Sequence, residues 1–355
     1  FTCSEWTMAS PSPSSSSTVR EAALNRRSRA VVMGVSMALI LCSVIWTYAD
    51  GAAIIDESQN GTAAMSLKQE TAKNELVGDS DPPVGELVSR KSAEGLNYLL
   101  YLPEQWTPKS EKKYPVIVFL HGRGESGGTS VMTEQSLPLQ LKTNSTLRKA
   151  FPFIVILPSC PWSCAQKNEW HPNIMQRTTK VINEVATRYN GDFNRVSLAG
   201  QSMGGNGAWE YASSQKGLFS AVVAICGYLR SNLYEDHEIA KRLRLPIWVF
   251  HAENDVVIPV GASDSITKAI QNLEEEGDSG RPEMHYTRYN YAPGPPIPEY
   301  EHLEGHGSYE LAFRDAKLFA WLREKRCAEC VGPTSQAFDD WIHVPERWQS
   351  FSDLM

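Results

Sequence analysis

Short runs of hydrophobic residues, each bounded by glycine, proline or other turn-forming residues, recur through the middle of the chain. Several runs are hydrophobic at every position, which is typical of strands covered on both faces of a sheet. The pattern predicts strands at 96–103, 115–122, 153–159, 195–200, 221–228, 246–252 and 284–290.

Segments with hydrophobic residues three or four positions apart lie between these runs and after the last one. Such spacing places one hydrophobic stripe on a helix, and it predicts helices at 173–190, 205–215, 264–277 and 308–326. The alternation of strands and helices predicts an α/β fold with a mostly parallel central sheet and helices on both faces. In such a fold, ligands bind beyond the carboxyl ends of the strands.

Composition changes along the chain and predicts its domain organisation. Residues 1–29 are rich in serine and proline and then basic, which is typical of a flexible tail. Residues 30–49 contain no charged side chain and are long enough to cross a bilayer as a helix. We expect a polar stalk at 50–90, the main domain at 91–326 and a C-terminal tail at 327–355.

Charges on either side of the uncharged segment predict its orientation. Arg26, Arg27 and Arg29 precede it, and Asp50 and Asp56 follow it. The positive-inside rule then places the tail in the cytosol and the main domain in a lumen or outside the cell. A cleaved signal peptide, which would release a secreted domain, is one alternative, and a bipartite organelle-targeting leader is another.

Charge indicates which partners to expect, and glycosylation motifs indicate the compartment. The formal net charge is −7, and no segment concentrates lysine and arginine into the cationic surface that nucleic acids require, so we expect no nucleic-acid partner. Asn60 and Asn144 each begin an Asn-x-Ser/Thr triplet, which agrees with a luminal or extracellular glycoprotein. The sequence leaves the oligomeric state open.

The cysteines form two pairs that are close in sequence, Cys160 with Cys164 and Cys327 with Cys330. Local disulfides in an oxidising compartment and reduced thiols are both compatible with this spacing. A zinc site built from both pairs has the required number of ligands but is the less favoured hypothesis.

The stretch LAGQSMGGNG (198–207) places one serine among glycines, between a predicted strand and a predicted helix. Gly200, Ser202 and Gly204 match the G-x-S-x-G motif, in which a sharp turn raises the serine hydroxyl above the sheet. The N-terminus of the following helix favours developing negative charge. Ser202 is therefore the predicted nucleophile, with a non-catalytic glycine-rich turn as the alternative interpretation.

A serine nucleophile requires a base, and the base requires an acidic partner that fixes its orientation. Asp255, in the loop after a predicted strand, is the predicted acid, although an ordinary turn aspartate is possible and Glu253 is the substitute. His306 is the predicted base because glycines flank it and a predicted helix follows, with His302 as the alternative. Packing, structural hydrogen bonding or solvation is expected for His121, His251, His285 and His343.

Acyl transfer also requires donors for the oxyanion of the tetrahedral intermediate. The backbone N–H of Met203, directly after Ser202, is one predicted donor. The second is the backbone N–H of Arg123, in a glycine-rich loop that follows the strand at 115–122. An ordinary turn is the alternative interpretation of that loop.

These motifs together resemble the α/β-hydrolase superfamily, and more narrowly its carboxylesterase-like group, which includes predicted peptidases and polyhydroxybutyrate-depolymerase-type or feruloyl-type esterases. The resemblance covers about residues 95–326 and rests on YLLYLPEQW, KKYPVIVFLHGRGESG, FNRVSLAGQSMGGNGAWEYA, LFSAVVAICG, PIWVFHAENDVVIPV and GHGSYELAF, in the family's order. It implies an α/β-hydrolase fold, a Ser202, Asp255 and His306 triad, and Arg123 and Met203 in the oxyanion hole.

The chain departs from the group's pattern in the interval between Asp255 and His306. This interval contains the proline-rich insertion YAPGPPIPEYEHLEG, which leaves the choice between His302 and His306 open. Tyr309 stands where the group often carries tryptophan, and Trp170 is expected either to line the pocket or to pack in the core.

The resulting expectation is a serine hydrolase that cleaves small-molecule or polymeric carboxylic esters through an acyl-enzyme intermediate. It needs no metal or organic cofactor, and it contacts the membrane only through its N-terminal segment. A serine peptidase or thioesterase on the same triad is the alternative among enzymes. A catalytically inactive, membrane-tethered binding module is the alternative from another class, against which the intact order of Ser, Asp and His weighs.

Overall fold

Eight strands form one sheet in the computed structural model, which describes residues 81–230, 235–275 and 282–330. The strands are β1 (Leu87–Lys91), β2 (Asn97–Tyr101), β3 (Tyr114–Leu120), β4 (Ile154–Pro158), β5 (Gly191–Gln201), β6 (Ala221–Ile225), β7 (Ile247–Ala252) and β8 (Met284–Tyr289). Their spatial order is β1-β2-β4-β3-β5-β6-β7-β8. Strand β2 is antiparallel to β1 and β4, and the other neighbouring pairs are parallel.

Helices cover both faces of this sheet. They are α1 (Ser136–Thr143), α2 (Ser145–Ala150), α3 (Trp162–Lys167), α4 (Pro172–Arg188), α5 (Met203–Ser214), α6 (Asp236–Arg242), α7 (Gly261–Glu275), α8 (Ser308–Ala312) and α9 (Ala316–Glu324). Apolar residues of α4, α5 and α7 belong to one hydrophobic cluster, and those of α1, α8 and α9 belong to a second. The predicted α/β fold class is confirmed.

Strand β3 explains why the hydrophobic runs are uninterrupted. All seven of its residues are buried. Val116 and Val118 contact the first hydrophobic cluster, whereas Ile117 and Phe119 contact the second. Because successive side chains of a strand point to opposite faces, a strand between two helical layers must be apolar at every position.

The ends of the domain differ from the predicted boundaries. Strand β1, which pairs with β2, lies at the end of the segment expected to be a stalk and reaches Lys91. Its residues are half-buried or exposed, so its hydrophobic signal is weak. At the other end, the backbone N–H of Cys327 donates to the carbonyl oxygen of Asn194, and Cys330 is buried. The ordered domain therefore extends beyond both 91 and 326.

The helix predicted at 308–326 is two helices, α8 and α9. Asp315 lies between them with an extended backbone, and its side chain accepts a hydrogen bond from the N–H of Lys317 at 2.9 Å. An aspartate in this position caps the start of a new helix. The cap explains the break, which the hydrophobic spacing alone did not indicate.

Several predictions fall outside the described residues: the tail at 1–29, the membrane span at 30–49, most of the stalk, and the sequon at Asn60. Within the described ranges, no helix has the length and apolar character needed to cross a membrane.

Both cysteine pairs form disulfides, Cys160 with Cys164 and Cys327 with Cys330. Their four sulfur atoms are bonded in these pairs, so they present no thiolates for the zinc site considered above.

Candidate active site

Ser202 lies in the turn between β5 and α5. Its backbone has φ 52° and ψ −119°, a combination that is unfavourable for any residue other than glycine. Two hydrogen bonds hold this strained turn: the N–H of Ser202 donates to the carbonyl oxygen of Ile225 at 2.9 Å, and its own carbonyl oxygen accepts from the N–H of Asn206 at 3.0 Å. The turn directs the hydroxyl to the carboxyl ends of the strands.

The glycines on either side of Ser202 allow close packing. A Cβ atom on Gly200 would lie 2.0 Å from the carbonyl oxygen of Gly204, and one on Gly204 would lie 2.0 Å from that of Leu120. Neither glycine has a positive φ. Both positions therefore require glycine because the start of α5 lies directly against β5 and β3.

Asp255 follows β7, and its side chain is completely buried. Its Oδ1 accepts hydrogen bonds from the backbone N–H groups of Val257 at 2.8 Å and Ile258 at 2.9 Å. Its Oδ2 lies 3.2 Å from Nε2 of His251. Burial opposes ionisation, but hydrogen bonds from His251 and His306, the charge of His306 and the Ile258 N–H outweigh it and hold the pKa of Asp255 well below its usual range. Asp255 is therefore a carboxylate.

His306 lies between Ser202 and Asp255. Its Nδ1 is 3.0 Å from Oδ2 of Asp255, and its Nε2 is 3.0 Å from Oγ of Ser202. The side chain is 9% exposed, so water is largely excluded from these bonds. Exposed His302 makes neither contact, and Glu253 instead pairs with an arginine on β8.

The proline-rich insertion places His306. The N–H of Gly305 donates to the carbonyl oxygen of Ala292, and the N–H of Gly307 donates to that of Pro293, both at 2.9 Å. Asn254 binds the same segment, because its side chain exchanges two 3.0 Å hydrogen bonds with the backbone of Ala292. The insertion thus connects the loop of the base to the loop of the acid.

Comparison with known proteins identifies a similar family and similar solved structures. The model of the Dienelactone hydrolase family matches residues 162–276. Among solved structures, a thermostable esterase is 28% identical with a TM-score of 0.53, over 68% of this chain and 63% of that chain. The chain belongs to the α/β-hydrolase superfamily. Both matches are to hydrolases, one a dienelactone hydrolase family and the other an esterase.

Other solved structures resemble this α/β-hydrolase more distantly. An acylaminoacyl peptidase from Pyrococcus horikoshii is 14% identical with a TM-score of 0.44, and the match covers 71% of this chain and 43% of the peptidase. The feruloyl esterase module from Clostridium thermocellum is 16% identical with a TM-score of 0.44, and the match covers 57% of this chain and 80% of the module. The match thus spans less than two thirds of the thermostable esterase and less than half of the peptidase. No curated protein matches the chain.

The predicted oxyanion loop of this α/β-hydrolase follows β3 and lies against the nucleophile. A Cβ atom on Gly122 would be 3.6 Å from Cβ of Ser202. The guanidinium of Arg123 donates from Nε to the carbonyl oxygen of Ala165 at 2.8 Å, which ties this side chain to the segment that contains α3. Met203 begins α5, where the first N–H groups have no acceptor within the helix.

His121 holds this loop from the interior. Its Nε2 accepts the N–H of Cys160 at 3.0 Å, so the proton lies on Nδ1, which donates to the carbonyl oxygen of Gly122 at 2.7 Å. Burial lowers the pKa of His121 to about 4, although the bond to Gly122 opposes the change. The imidazole is therefore neutral. Trp170 is buried and donates to the carbonyl oxygen of His121 at 3.2 Å, so it packs in the core and does not line a pocket.

Two exposed aromatic side chains, Trp162 and Tyr300, contact the same loop, and the sequence analysis did not identify either. A Cβ atom on Gly127 would lie 3.8 Å from Trp162, and one on Gly124 would lie 3.8 Å from Tyr300. Trp162 is 61% exposed and Tyr300 is 43% exposed. Trp162 begins the short helix α3 and Tyr300 lies in the proline-rich insertion, and no periodic pattern in the sequence indicated either residue.

The potential metal ligands Cys226, Asp255 and His306 lie within 4.8 Å of one another. Burial raises the pKa of the Cys226 thiol, with Asp255 contributing, and a protonated thiol is a poor ligand. Asp255 and His306 are hydrogen-bonded to each other. This arrangement suits proton transfer better than metal binding.

Proposed function

We propose that this α/β-hydrolase is a serine hydrolase that cleaves carboxylic esters through an acyl-enzyme intermediate. The observation that carries the proposal is the continuous hydrogen-bond chain from Ser202 through His306 to Asp255. Each member lies at the carboxyl end of the parallel sheet or in a loop beside it. The order of a nucleophile, a base and a buried carboxylate is that of a serine hydrolase triad.

In the proposed mechanism, each group has a role in the first half of the reaction. Nε2 of His306 accepts the proton of the Ser202 hydroxyl as Oγ attacks the ester carbonyl carbon. The carboxylate of Asp255 stabilises the resulting imidazolium. The backbone N–H groups of Arg123 and Met203 donate to the oxyanion, and one such donor contributes about 3–4 kcal/mol.

The second half reverses these proton transfers. The imidazolium of His306 protonates the departing alcohol oxygen, which leaves the acyl group on Ser202. A water molecule then loses a proton to His306 and attacks the acyl carbon. The carboxylic acid departs and the serine is restored.

We also propose that the N-terminal segment tethers the catalytic domain on the luminal or extracellular side of a membrane. The uncharged run at 30–49 and its preceding arginines support this topology. Two disulfides agree with an oxidising compartment. Asn144 is exposed between α1 and α2, so it is accessible to glycosylation. Protection of the domain from protease in sealed vesicles tests the topology.

Hydrolysis of p-nitrophenyl acetate and butyrate by the full-length chain tests the esterase proposal. We expect Ser202→Ala to lower kcat by a factor of about 10³ or more. Ser214→Ala, at the exposed end of the same helix, is the matched control and should retain wild-type activity. Equal activity of wild type and Ser202→Ala would contradict the proposal. Activity on thioesters or peptides alone would favour the alternative substrates.

A further inference from the structure

The buried carboxyl group of Glu125 lies beside the site but takes no part in the triad. Glu125 ends the short 3-10 turn that begins at Arg123, and it is 2% exposed. Its Oε1 accepts a hydrogen bond from Nε2 of Gln201 at 3.2 Å. Since Gln201 directly precedes Ser202, this bond connects the oxyanion loop to the nucleophile turn.

The pair of Glu125 and Gln201 lacks a hydrogen-bond donor. Oε2 of Glu125 and Oε1 of Gln201 are both buried, and neither has a hydrogen-bond partner among the described residues. Buried acceptors without a donor are costly. One proton on Oε2 would supply the donor, and a protonated carboxyl can pair with a primary amide through two hydrogen bonds.

No positive charge compensates a carboxylate at this position. Within the described ranges, no ion pair involves Glu125, and the guanidinium of Arg123 is directed to Ala165. The side chains of Gln135 and Gln201 interact with Glu125, and the nearby Cys226 and Tyr309 are uncharged because burial raises the pKa of both.

The surroundings therefore favour the neutral acid. Burial raises the pKa of Glu125 to about 7, although the polar groups of Gln135, Gly122 and Gln201 oppose the change. Of these three, Gln201 makes the hydrogen bond described above, and Oε2 stays without a donor.

We propose that Glu125 is a positioning residue for the oxyanion loop and that it acts in its protonated, uncharged form. The inference rests on the proposed serine hydrolase function. A Cβ atom on Gly122 would lie 2.9 Å from Oε2 of Glu125 and 3.6 Å from Ser202. Glu125 ends the turn that starts at Arg123, so a carboxylate here would place a negative charge beside the proposed oxyanion donor, and repulsion between the two charges would lower the rate by about tenfold or more.

The pH dependence of kcat/KM for p-nitrophenyl acetate tests this role in the full-length chain. Glu125→Gln has the same shape, is always neutral and keeps a donor. We expect the wild-type kcat/KM to fall about tenfold or more relative to Glu125→Gln between about pH 6 and pH 9, mainly through kcat. Superimposable profiles would overturn the proposal.

Glu210→Gln is the matched control. Glu210 is also buried, and burial raises its pKa to about 8, but it lies on α5 and pairs with Arg230. Its substitution should leave the alkaline fall of the wild type in place. The proposal would also be overturned if Glu210→Gln abolished the alkaline decrease in kcat/KM and Glu125→Gln retained it.

Thermal unfolding provides a readout that requires no ester hydrolysis. The pKa of Glu125 is about 7 when folded and near 4.5 when unfolded, so the folded state binds more protons between these values. The Tm of wild type should therefore fall by several degrees relative to Glu125→Gln as the pH rises from about 4.5 to about 7, and stay constant above. A difference in Tm between wild type and Glu125→Gln that does not change with pH would contradict the proton-linked role of Glu125. A stably folded wild type without hydrolase activity would instead contradict the proposed function.

If Glu125→Gln does not fold, infrared spectroscopy of Glu210→Gln tests the same claim. The infrared band of a protonated carboxyl group should be present at about pH 6 and absent by about pH 8. Its absence at about pH 6 would overturn the proposal.

Discussion

The Nε2 atom of His251 lies 3.2 Å from Oδ2 of Asp255, the same oxygen that lies 3.0 Å from Nδ1 of His306. His251 is fully buried, and its Nε2 also lies 2.9 Å from the carbonyl oxygen of Ile258. Because Nε2 faces two acceptors, it carries the proton, and the hydroxyl of Ser263 donates to Nδ1 at 2.7 Å. Asp255 is thus bound by one histidine from the interior and by another from the site.

Removal of His251 should weaken the acid of the triad. We expect His251→Ala to lower kcat/KM by about tenfold and to destabilise the fold by about 1–3 kcal/mol, because a buried carboxylate loses a donor. The pKa of Asp255 should rise, so the acid limb of the kcat/KM profile should move to higher pH.

pH profiles and urea unfolding measure these effects. His285→Ala is the control, since His285 lies exposed on β8 and bonds only to Glu283 in the hydrogen bonds that the structure describes. Equal effects of the two substitutions on activity would show that His251 does not support Asp255.

Gly305 positions the histidine loop against the aspartate loop. Its φ is +81°, and a Cβ atom would lie 2.3 Å from the backbone of Asn254 and Asp255. Gly305→Ala should lower the free energy of unfolding by about 3 kcal/mol or more and separate His306 from Asp255. Gly261→Ala, at the start of α7 with no atom near its Cβ position, should be close to neutral. Wild-type stability and activity of Gly305→Ala would contradict the described loop packing.

Trp162 and Tyr300 should contact bound substrate, because both expose aromatic surface over the oxyanion loop. Trp162→Ala and Tyr300→Ala should each raise KM for p-nitrophenyl esters by roughly fivefold, which corresponds to about 1 kcal/mol of lost apolar contact, with little change in kcat. Tyr291→Ala removes a third exposed aromatic side chain that makes no such loop contact, and its KM should stay at the wild-type value. Unchanged KM in both loop variants would place the substrate elsewhere.

His121 should make the protein sensitive to acid. Its pKa is about 4 when folded, below its value of 6.5 in the unfolded chain, so the unfolded state binds more protons between these values. Stability should fall as the pH decreases from about 6.5 to about 4, by up to about 3 kcal/mol. Urea unfolding of wild type and His121→Gln at several pH values measures this loss of stability. If the free energies of unfolding of the two proteins change with pH in parallel, the prediction is contradicted.

The proposed triad could be selected from the sequence because it depends on topology more than on detailed packing. Ser202 and Asp255 follow strands, and the carboxyl ends of parallel strands meet at one edge of a sheet. His306 was harder, since the sequence left His302 open. The Gly305 and Gly307 bonds to the insertion position His306 beside Asp255 and Ser202, and spacing does not encode such contacts.

The supporting contacts were not predictable from the sequence. Gln201 occupies a variable position of the G-x-S-x-G motif, and its partner Glu125 is 76 residues away. His251 and Asp255 are close in sequence, but an isolated histidine at a strand end gives no indication of which atom it binds. Strand β1 was missed because an exposed edge strand lacks the uninterrupted hydrophobic run of β3.

Covalent labelling of the full-length chain with a fluorophosphonate, followed by peptide mass spectrometry, tests the central claim most directly. The triad predicts one phosphonyl adduct on Ser202, formed rapidly in wild type and much more slowly in His306→Ala, because Oγ then loses its base. Absence of an adduct on Ser202 in the folded protein, or equal labelling rates in the two proteins, would contradict the assignment of Ser202 and His306 as nucleophile and base.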